Sequence, residues 1–210
     1  MLKHFDLEDR SKDTLIILTS DHGEEFLTHG WLGHTRSLYD GMIRIPLIFW
    51  LPGALPPRRV QSPVSLVDVL PTLLSFSRLP MPQIPFDGLS LKQAIMTGDS
   101  VAREELYAEV SFLPPAGGSE EKRALSTALI RRKLKVIHDF QSDVWKAFNV
   151  VQDPMELTDL WGKDRAWEEM RQQLLAWEAK NVPGWKIDHQ QGPKIDADTL
   201  KRLRSLGYVQ

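Results

Sequence analysis

Three of the six histidines of this sequence lie close together, and an aspartate precedes the first of them. The group comprises Asp21, His22, His29 and His34, and it directly follows an apolar, β-branched run at residues 14–18. Such a run is typical of a strand buried on both faces in a parallel sheet. Ligands of open α/β sheets bind beyond the carboxyl ends of the strands. The group therefore lies where such a fold would place a site.

An adjacent Asp and His offer one carboxylate oxygen and one imidazole nitrogen to a single cation. Gly23 allows the chain to turn at this point, and Glu24 and Glu25 add negative charge nearby. A simpler interpretation is a solvated turn in which the Asp21 carboxylate caps the backbone. The residue types alone leave both interpretations open.

Several segments, in a fixed order, closely resemble the second half of a sulfatase-family domain in the alkaline phosphatase superfamily. The first four are TLIILTSDHGE at residues 14–24, HG at 29–30, GHTRSLYD at 33–40 and IRIPLIFWLPG at 43–53. The similarity continues along nearly the whole chain, through SLVDVLPTLL at 65–74 to LRSLGYV at 203–209. It implies an α/β fold in which part of an alkaline phosphatase-like mixed or parallel sheet is sandwiched by helices. A small antiparallel sheet with a packed helix is expected to follow.

The resemblance also implies roles for individual residues. Asp21 and His22 are expected to complete a divalent metal site, and His34 to bind the sulfate or phosphate group or a second metal. His29 and Arg36 are expected on the substrate side, although Arg36 would otherwise be a solvated or ion-paired residue. Ca²⁺ is the metal that the family implies, and a site containing imidazole would by its chemistry also accept Mn²⁺ or Zn²⁺.

The activity implied by the resemblance is hydrolysis of a sulfate ester on a small molecule or glycan. A bound cation and nearby donors would stabilise the charge on the oxygens of the transferred group. One alternative is a phosphodiester or phosphonate hydrolase, or a phosphoethanolamine transferase, of the same superfamily. Another is a non-catalytic remnant or a subunit that a partner completes.

The nucleophile of the family has no counterpart in this sequence. Relatives carry it in their amino-terminal half, in a Cys/Ser-x-Pro-x-Arg element, whereas this chain has no Cys and no Ser-x-Pro-x-Arg. We therefore expect the chain to correspond to the carboxy-terminal portion of the domain and to be inactive in isolation, since the covalent step needs that nucleophile. A partner carrying the amino-terminal half would complete the site.

Composition is that of an ordinary globular protein. The 210 residues include 26% charged residues, and the net charge of -2 gives no general attraction to nucleic acid or to membranes. No apolar run approaches the roughly 20 residues needed to span a bilayer. Residues 1–6 lack the apolar core of a signal peptide. The compartment stays open, because many relatives are periplasmic or secreted and the lack of cysteine does not decide it.

A change of pattern at about residue 104 predicts two parts, 1–103 and 104–210. The first part is expected to belong to the sulfatase α/β domain, with strands at 14–19 and 46–51, both of the type found inside a parallel sheet. A short helix is expected to begin at Arg36 and end at Asp40–Gly41. A longer helix is expected to run from an N-cap at Ser65, with Asp68 completing a capping box, to about Phe76.

The second part is expected to be a small antiparallel sheet with a packed helix. Its alternating segments predict strands at 105–110, 127–131, 133–139 and 145–151, followed by helices at about 164–180 and 196–206. The basic residues Arg131, Arg132, Lys133 and Lys135 are expected on the solvated face and turn of a hairpin. The apolar strands of the first part are expected to remain uncovered, which predicts self-association of the isolated chain.

Overall fold

A computed structural model of the chain describes residues 13–34, 37–77, 79, 82–101, 103–112, 124–140, 142–181 and 197–205. Its elements, in chain order, are β1 (Ile16–Thr19), β2 (Glu25–Phe26), β3 (Leu32–Gly33), α1 (Asp40–Ile43), β4 (Leu47–Trp50), α2 (Val69–Ser77), α3 (Lys92–Thr97), β5 (Glu105–Phe112), β6 (Ala124–Arg131), β7 (Leu134–Asp139), β8 (Val144–Asn149), α4 (Arg165–Asn181) and α5 (Ala197–Ser205). The fold is mixed α/β with a small antiparallel sheet, as expected. Within the described residues, no helix is both long enough and apolar enough to cross a membrane.

The two apolar strands of the first part form a pair, but they do not run in parallel. β1 and β4 are antiparallel, and Leu18 lies opposite Ile48. These two side chains are 50% and 49% exposed, so the expectation of parallel strands buried on both faces is wrong for this pair. The physical reason is that a continuous apolar run indicates the need for burial and carries no information on strand direction. Among the described strands, none joins this pair as a third.

The short helix α1 begins where the sequence predicts its end. Tyr39 has an extended backbone, and the helix starts only at Asp40, so the expected placement before Asp40–Gly41 is wrong. The Asp40 backbone N–H donates to a carboxylate oxygen of Glu156, which lies far along the chain. A helix start leaves backbone N–H groups without intrahelical partners, and an acceptor from a distant segment satisfies one of them here. That contact is not visible in the local sequence.

The helix predicted after Ser65 is confirmed. A 3₁₀ turn at Leu66–Asp68 leads into α2, and Ser65 and Asp68 form the expected capping box. Asp68 is fully buried and accepts hydrogen bonds from the backbone N–H groups of Ser65 and Leu89, both at 2.8 Å. Its carboxylate also pairs with Arg103 at 2.8 Å. Pro71 lies near the start of α2, where a missing N–H costs little.

The four strands β5 to β8 form the predicted antiparallel meander, each paired with the next along the chain. On one face α4 packs through Trp167, Met170 and Leu174, which are at most 5% exposed. The opposite face receives Leu38 and Tyr39 from the segment that precedes α1. This second contact brings the sheet against the part of the chain that carries the histidines.

Candidate functional site

Asp21 and His22 lie in the loop that follows β1, as the sequence predicts. The Asp21 side chain is 69% exposed, and its Oδ1 accepts a hydrogen bond from the His22 backbone N–H at 3.0 Å. Its second oxygen, Oδ2, lies 3.8 Å from His22 Nε2. Two donor atoms that are each about 2.0–2.5 Å from one cation lie roughly 3–4 Å apart, depending on the coordination geometry. The two side chains therefore have a spacing that one cation can bridge.

The hydrogen bonding of the His22 ring determines its tautomer. Nδ1 lies 2.8 Å from the backbone oxygen of Gly23, and a carbonyl oxygen only accepts, so Nδ1 carries the proton in the neutral ring. The lone pair is then on Nε2, the nitrogen that lies near Asp21. Fixing one ring nitrogen by a backbone carbonyl is a common way to prepare a histidine for metal binding.

His34 joins the same group. Its ring stacks on that of His22, with centroids 4.6 Å apart and an interplanar angle of 27°. Its Nδ1 lies 3.2 Å from Glu24 Oε2, and its side chain is only 17% exposed. We refer to Asp21, His22 and His34 as the site cluster. The structure brings these three together, and it adds Glu24 as the carboxylate that orients the His34 ring.

The loop of the site cluster is held by backbone contacts to α1. Gly23 donates its N–H to the Met42 oxygen at 2.7 Å, and Glu24 donates to the Gly41 oxygen at 3.1 Å. A Cβ atom on Gly23 would lie 2.0 Å from the Gly41 oxygen, which is far inside van der Waals contact. Only glycine therefore allows this approach. The placement of Asp21 and His22 depends on the packing of α1.

His29 makes its contacts with residues outside the site cluster. Its ring stacks on Tyr39 with centroids 3.5 Å apart. Its Nδ1 lies 3.0 Å from Glu25 Oε1, and its Nε2 lies 3.3 Å from the Glu156 backbone oxygen. Both ring nitrogens thus have protein partners, and a substrate-side role for His29 stays a prediction. Arg36 lies outside the described residues, so its role also stays a prediction.

A buried group of charges joins α1 to the carboxy-terminal sheet. The Lys135 ammonium is fully buried and lies 2.8 Å from Asp40 Oδ1 and 2.7 Å from Glu156 Oε1. We refer to Lys135, Asp40 and Glu156 as the anchor network. The expectation that Lys135 lies on a solvated face is therefore wrong. Strand alternation contained the missed signal, because it places Lys135 on the same side of β7 as Ile137, which packs in the core.

The electrostatics of the anchor network favour a neutral Glu156 more than water does. Burial raises the pKa of the Glu156 carboxyl, and the Lys135 ammonium beside it offsets only part of that effect. A carboxylate in this position depends on its cation, since an unpaired buried charge is costly. The orientation of α1, and through it the loop of the site cluster, is thus tied to one lysine of the distant sheet.

The site cluster fits a divalent cation as part of a ligand set. Among the described residues, no group of three or more His, Asp or Glu side chains is arranged to hold a metal ion. The cluster nevertheless offers one carboxylate and one oriented imidazole at suitable spacing. These are donor types that Ca²⁺, Mn²⁺ and Zn²⁺ accept in different proportions. Additional ligands would have to complete the coordination.

Comparison with known proteins identifies the relatives of the chain. The sequence model of the Sulfatase family matches residues 2–77. This chain belongs to the sulfatase family. An arylsulfatase of Clostridium perfringens is 28% identical over 91% of this chain and 39% of its own length. An N-acetylglucosamine-6-O-sulfatase of Bacteroides thetaiotaomicron is 30% identical over 72% of this chain and 27% of its own length.

Solved structures agree with this assignment. One protein, crystallised with its substrate D-glucosamine-2-N,6-O-disulfate, superposes with a TM-score of 0.70 at 26% identity over 88% of this chain and 38% of its own. A phosphonate monoester hydrolase of Agrobacterium radiobacter superposes with a TM-score of 0.64 at 26% identity, over 85% and 37% of the two chains. The chain thus spans about two fifths or less of the length of these relatives. It is similar to their carboxy-terminal portion.

Proposed function

We propose that this chain supplies the carboxy-terminal share of a sulfatase-type hydrolytic site. The observation that carries the proposal is the site cluster, in which Asp21 and His22 share a 3.8 Å spacing and His34 stacks on His22 at 4.6 Å. Asp21 and His22 would hold a divalent cation, Ca²⁺ by family resemblance, and such a cation would stabilise negative charge on the oxygens of a sulfate ester. The relatives that are named sulfatases support this assignment.

His34 is proposed to bind the anionic group of the substrate. Glu24 holds its Nδ1, so the ring keeps one orientation beside His22. A positioned imidazole donates a hydrogen bond when neutral and adds a positive charge when protonated. The proposed substrate class is a sulfate ester on a small molecule or a glycan.

Metal binding by the purified 210-residue chain tests the proposal. Titration calorimetry with Ca²⁺ and with Mn²⁺ should detect one site that Asp21→Asn weakens by about tenfold or more, since one charged ligand is lost. Asp13→Asn is the matched control, because Asp13 is an exposed carboxylate close to the start of β1, the strand that precedes Asp21. Equal effects of the two variants, or no binding of either cation, would contradict the proposal.

Turnover provides the second test. We expect no hydrolysis of an aryl sulfate by this chain alone, because it contains neither Cys nor a Ser-x-Pro-x-Arg element to provide the nucleophile. Addition of a partner that carries such an element should be required for activity. Turnover by the isolated chain that Asp21→Ala abolishes would show that its own residues complete the reaction.

A phosphonate or phosphodiester hydrolase is the second candidate function. It is favoured by the structural similarity to a phosphonate monoester hydrolase, which matches almost as closely as the disulfate-binding protein. Competition of sulfate and methylphosphonate for the metal-loaded chain would distinguish the two candidate functions. The His34→Gln variant should bind the preferred anion more weakly. Tighter binding of methylphosphonate would favour the second candidate.

A further inference from the structure

A cleft of about 280 Å³ lies between the loop that carries the histidines and one face of the carboxy-terminal sheet. We refer to it as the sheet cleft. The loop contributes His29, Trp31, Ser37, Leu38 and Tyr39, and the sheet contributes Ser126, Ile137, Asp139, Val144 and Lys146. Its volume is near the lower end of the range for small-molecule sites, and its lining combines aromatic rings with a few polar groups.

Lys146 is the cation of the sheet cleft. Its ammonium donates to the Tyr39 hydroxyl at 2.8 Å and lies 5.4 Å from the centroid of the same ring. Lys135 projects from the same face of the sheet, on the neighbouring strand, and has two carboxylate partners. Among the described residues, Lys146 forms no ion pair. An ammonium has three donors, so Lys146 retains hydrogen-bonding capacity for an anion in the cleft.

Other groups of the sheet cleft suit a hydroxylated ring. The Asp139 carboxylate accepts from the Ser142 backbone and hydroxyl at 2.9 and 2.7 Å, and its position in the lining allows it to accept from a ligand hydroxyl as well. The Ser37 hydroxyl oxygen is buried and has no hydrogen-bond partner in the described part of the chain. Trp31 supplies an aromatic wall. A carboxylate, a hydroxyl and an indole are groups that hold the polar edge and the apolar face of a sugar.

Trp31 of the sheet cleft lies near Glu24, the residue that contacts His34 of the site cluster. A Cβ built on Gly33 would lie 3.8 Å from Glu24 Oε1 and 4.0 Å from Trp31 Cζ3. Glu24 is the residue that orients His34, so the indole wall of the cleft comes close to the groups that hold the site cluster.

We propose that the sheet cleft binds the sugar ring of an anionic saccharide, and that Lys146 holds a second anionic group of that sugar. The inference rests on the proposed function, in which the ester that is cleaved occupies the site cluster. Lys146 is a specificity residue in this arrangement, because it favours substrates with two anionic groups over those with one. An N-sulfate and a carboxylate share the required charge, and the experiment below distinguishes them.

Binding of defined sugars to the purified chain tests the inference. Calorimetry would compare D-glucosamine-2-N,6-O-disulfate, N-acetylglucosamine-6-O-sulfate and glucuronic acid. We expect the disulfate to bind at least about tenfold more tightly than the monosulfate, and Lys146→Met to remove most of that difference, because a charge-assisted hydrogen bond is lost. Lys146→Arg should retain it. Glucuronic acid binding that depends on Lys146 would identify the carboxylate as the preferred group.

Lys92→Met is the matched control. The Lys92 ammonium also lies 5.4 Å from an aromatic centroid, that of Phe76, but neither residue belongs to the lining of the sheet cleft. We expect this variant to leave all three sugar affinities unchanged. An equal effect of Lys92→Met and Lys146→Met, an undiminished preference for the disulfate in Lys146→Met, or no binding of any sugar would overturn the inference.

Failure of the inference is distinguishable from failure of the proposed function. If Asp21→Asn leaves metal binding unchanged while Lys146→Met removes the preference for the disulfate, the sugar-binding role of the sheet cleft is supported and the proposed hydrolytic site is contradicted. If Asp21→Asn weakens metal binding while Lys146→Met leaves the preference for the disulfate unchanged, the hydrolytic site is supported and the role of the sheet cleft is contradicted. Should Lys146→Met unfold the chain, acetylation of the unmodified protein provides the test: the disulfate should slow modification of Lys146 and not of Lys92, as measured by mass spectrometry. Equal rates of Lys146 acetylation with and without the disulfate would contradict the inference.

Discussion

The carboxy-terminal sheet and the β1–β4 pair are both antiparallel, but they differ in how far they are covered. In the sheet, Leu129 and Val136 are fully buried between strands and α4. In the pair, Leu18 and Ile48 face each other across the strands and remain about half exposed. The sheet therefore has its own core within the described residues, whereas the pair has one exposed apolar face. Structural stability and candidate chemistry thus reside in different parts of the chain.

The anchor network is the contact through which the carboxy-terminal sheet supports the loop of the site cluster. Lys135 on β7 holds Asp40, the first residue of α1, and Glu156, which satisfies the helix start. α1 in turn holds the loop of the site cluster through Gly23 and Glu24. Changes in the sheet should therefore affect the site cluster more than changes in the exposed strand pair do.

The largest effect is expected from Lys135→Met. The variant keeps most of the side-chain volume but leaves Asp40 and Glu156 without their cation, which for a buried pair costs about 3–5 kcal/mol. The free energy of unfolding, measured by urea titration with circular dichroism, should fall by that amount. Lys133→Met is the control, since Lys133 is exposed at the adjacent turn and its loss should change stability by no more than about 0.5 kcal/mol. Similar values for both lysines would show that the anchor network contributes nothing.

The second-largest effect comes from replacing a leucine by alanine, once in the carboxy-terminal sheet region and once in the first part of the chain. Leu174→Ala removes a fully buried side chain from the contact between α4 and the sheet, and we expect a loss of about 3 kcal/mol. Leu70→Ala removes a side chain of α2 that is 53% exposed, and we expect a loss below about 1 kcal/mol. Thermal and urea unfolding of both variants would measure the difference. Equal losses would mean that α2 is covered in solution by something that the described residues do not contain.

Sequence reasoning succeeded where local pattern decides structure. The meander of β5 to β8 was predictable, because each strand alternates and pairs with its sequence neighbour. The capping box at Ser65 was predictable for the same reason, since all its atoms lie within four residues. Asp21, His22 and His34 lie within one short segment of the chain, and the β2–β3 pair folds that segment back so that the rings of His22 and His34 stack.

Long-range contacts were the part that the sequence did not reveal. The direction of β4 relative to β1 depends on pairing across more than 25 residues, and an apolar run is the same in either direction. The start of α1 depends on Glu156, more than a hundred residues away. The sequence predicted a solvated Lys135 because it lies in a run of basic residues with Arg132 and Lys133. Its burial is explained by carboxylate partners that are distant in the sequence.

A smaller effect is expected from pH within the sheet region. Burial lowers the pKa of His138, but hydrogen bonding to and charge attraction by Glu178, together with Asp143, outweigh it and raise the pKa above 6.5. Protonated His138 therefore stabilises the contact with α4 fully below pH 6.5, and this contribution is lost as pH rises through the folded-state pKa. The free energy of unfolding should decrease over that interval.

Matched glutamate variants on α4 isolate the contribution of His138. Glu178→Gln removes the carboxylate that lies 3.0 Å from His138 Nδ1, so the decrease in unfolding free energy above pH 6.5 should become smaller. Glu169→Gln changes an exposed glutamate of the same helix and should leave the pH dependence as it is. A pH profile that Glu178→Gln does not alter would assign the titration to another group.

The smallest effect on stability is expected from the exposed strand pair, where the property that changes is association. Replacing both Leu18 and Ile48 by Thr places a β-branched residue, which suits a strand, at each position. Since both side chains are already half exposed, the free energy of unfolding should change by less than about 1 kcal/mol. The apolar face that the two residues form would become polar, so concentration-dependent association of the chain should weaken in sedimentation velocity experiments. Val144→Thr is the control, since Val144 is 44% exposed but lies on the sheet that has its own core. If Val144→Thr reduces association as much as the double variant does, any exposed apolar side chain contributes to association, and the β1–β4 face is not the specific cause.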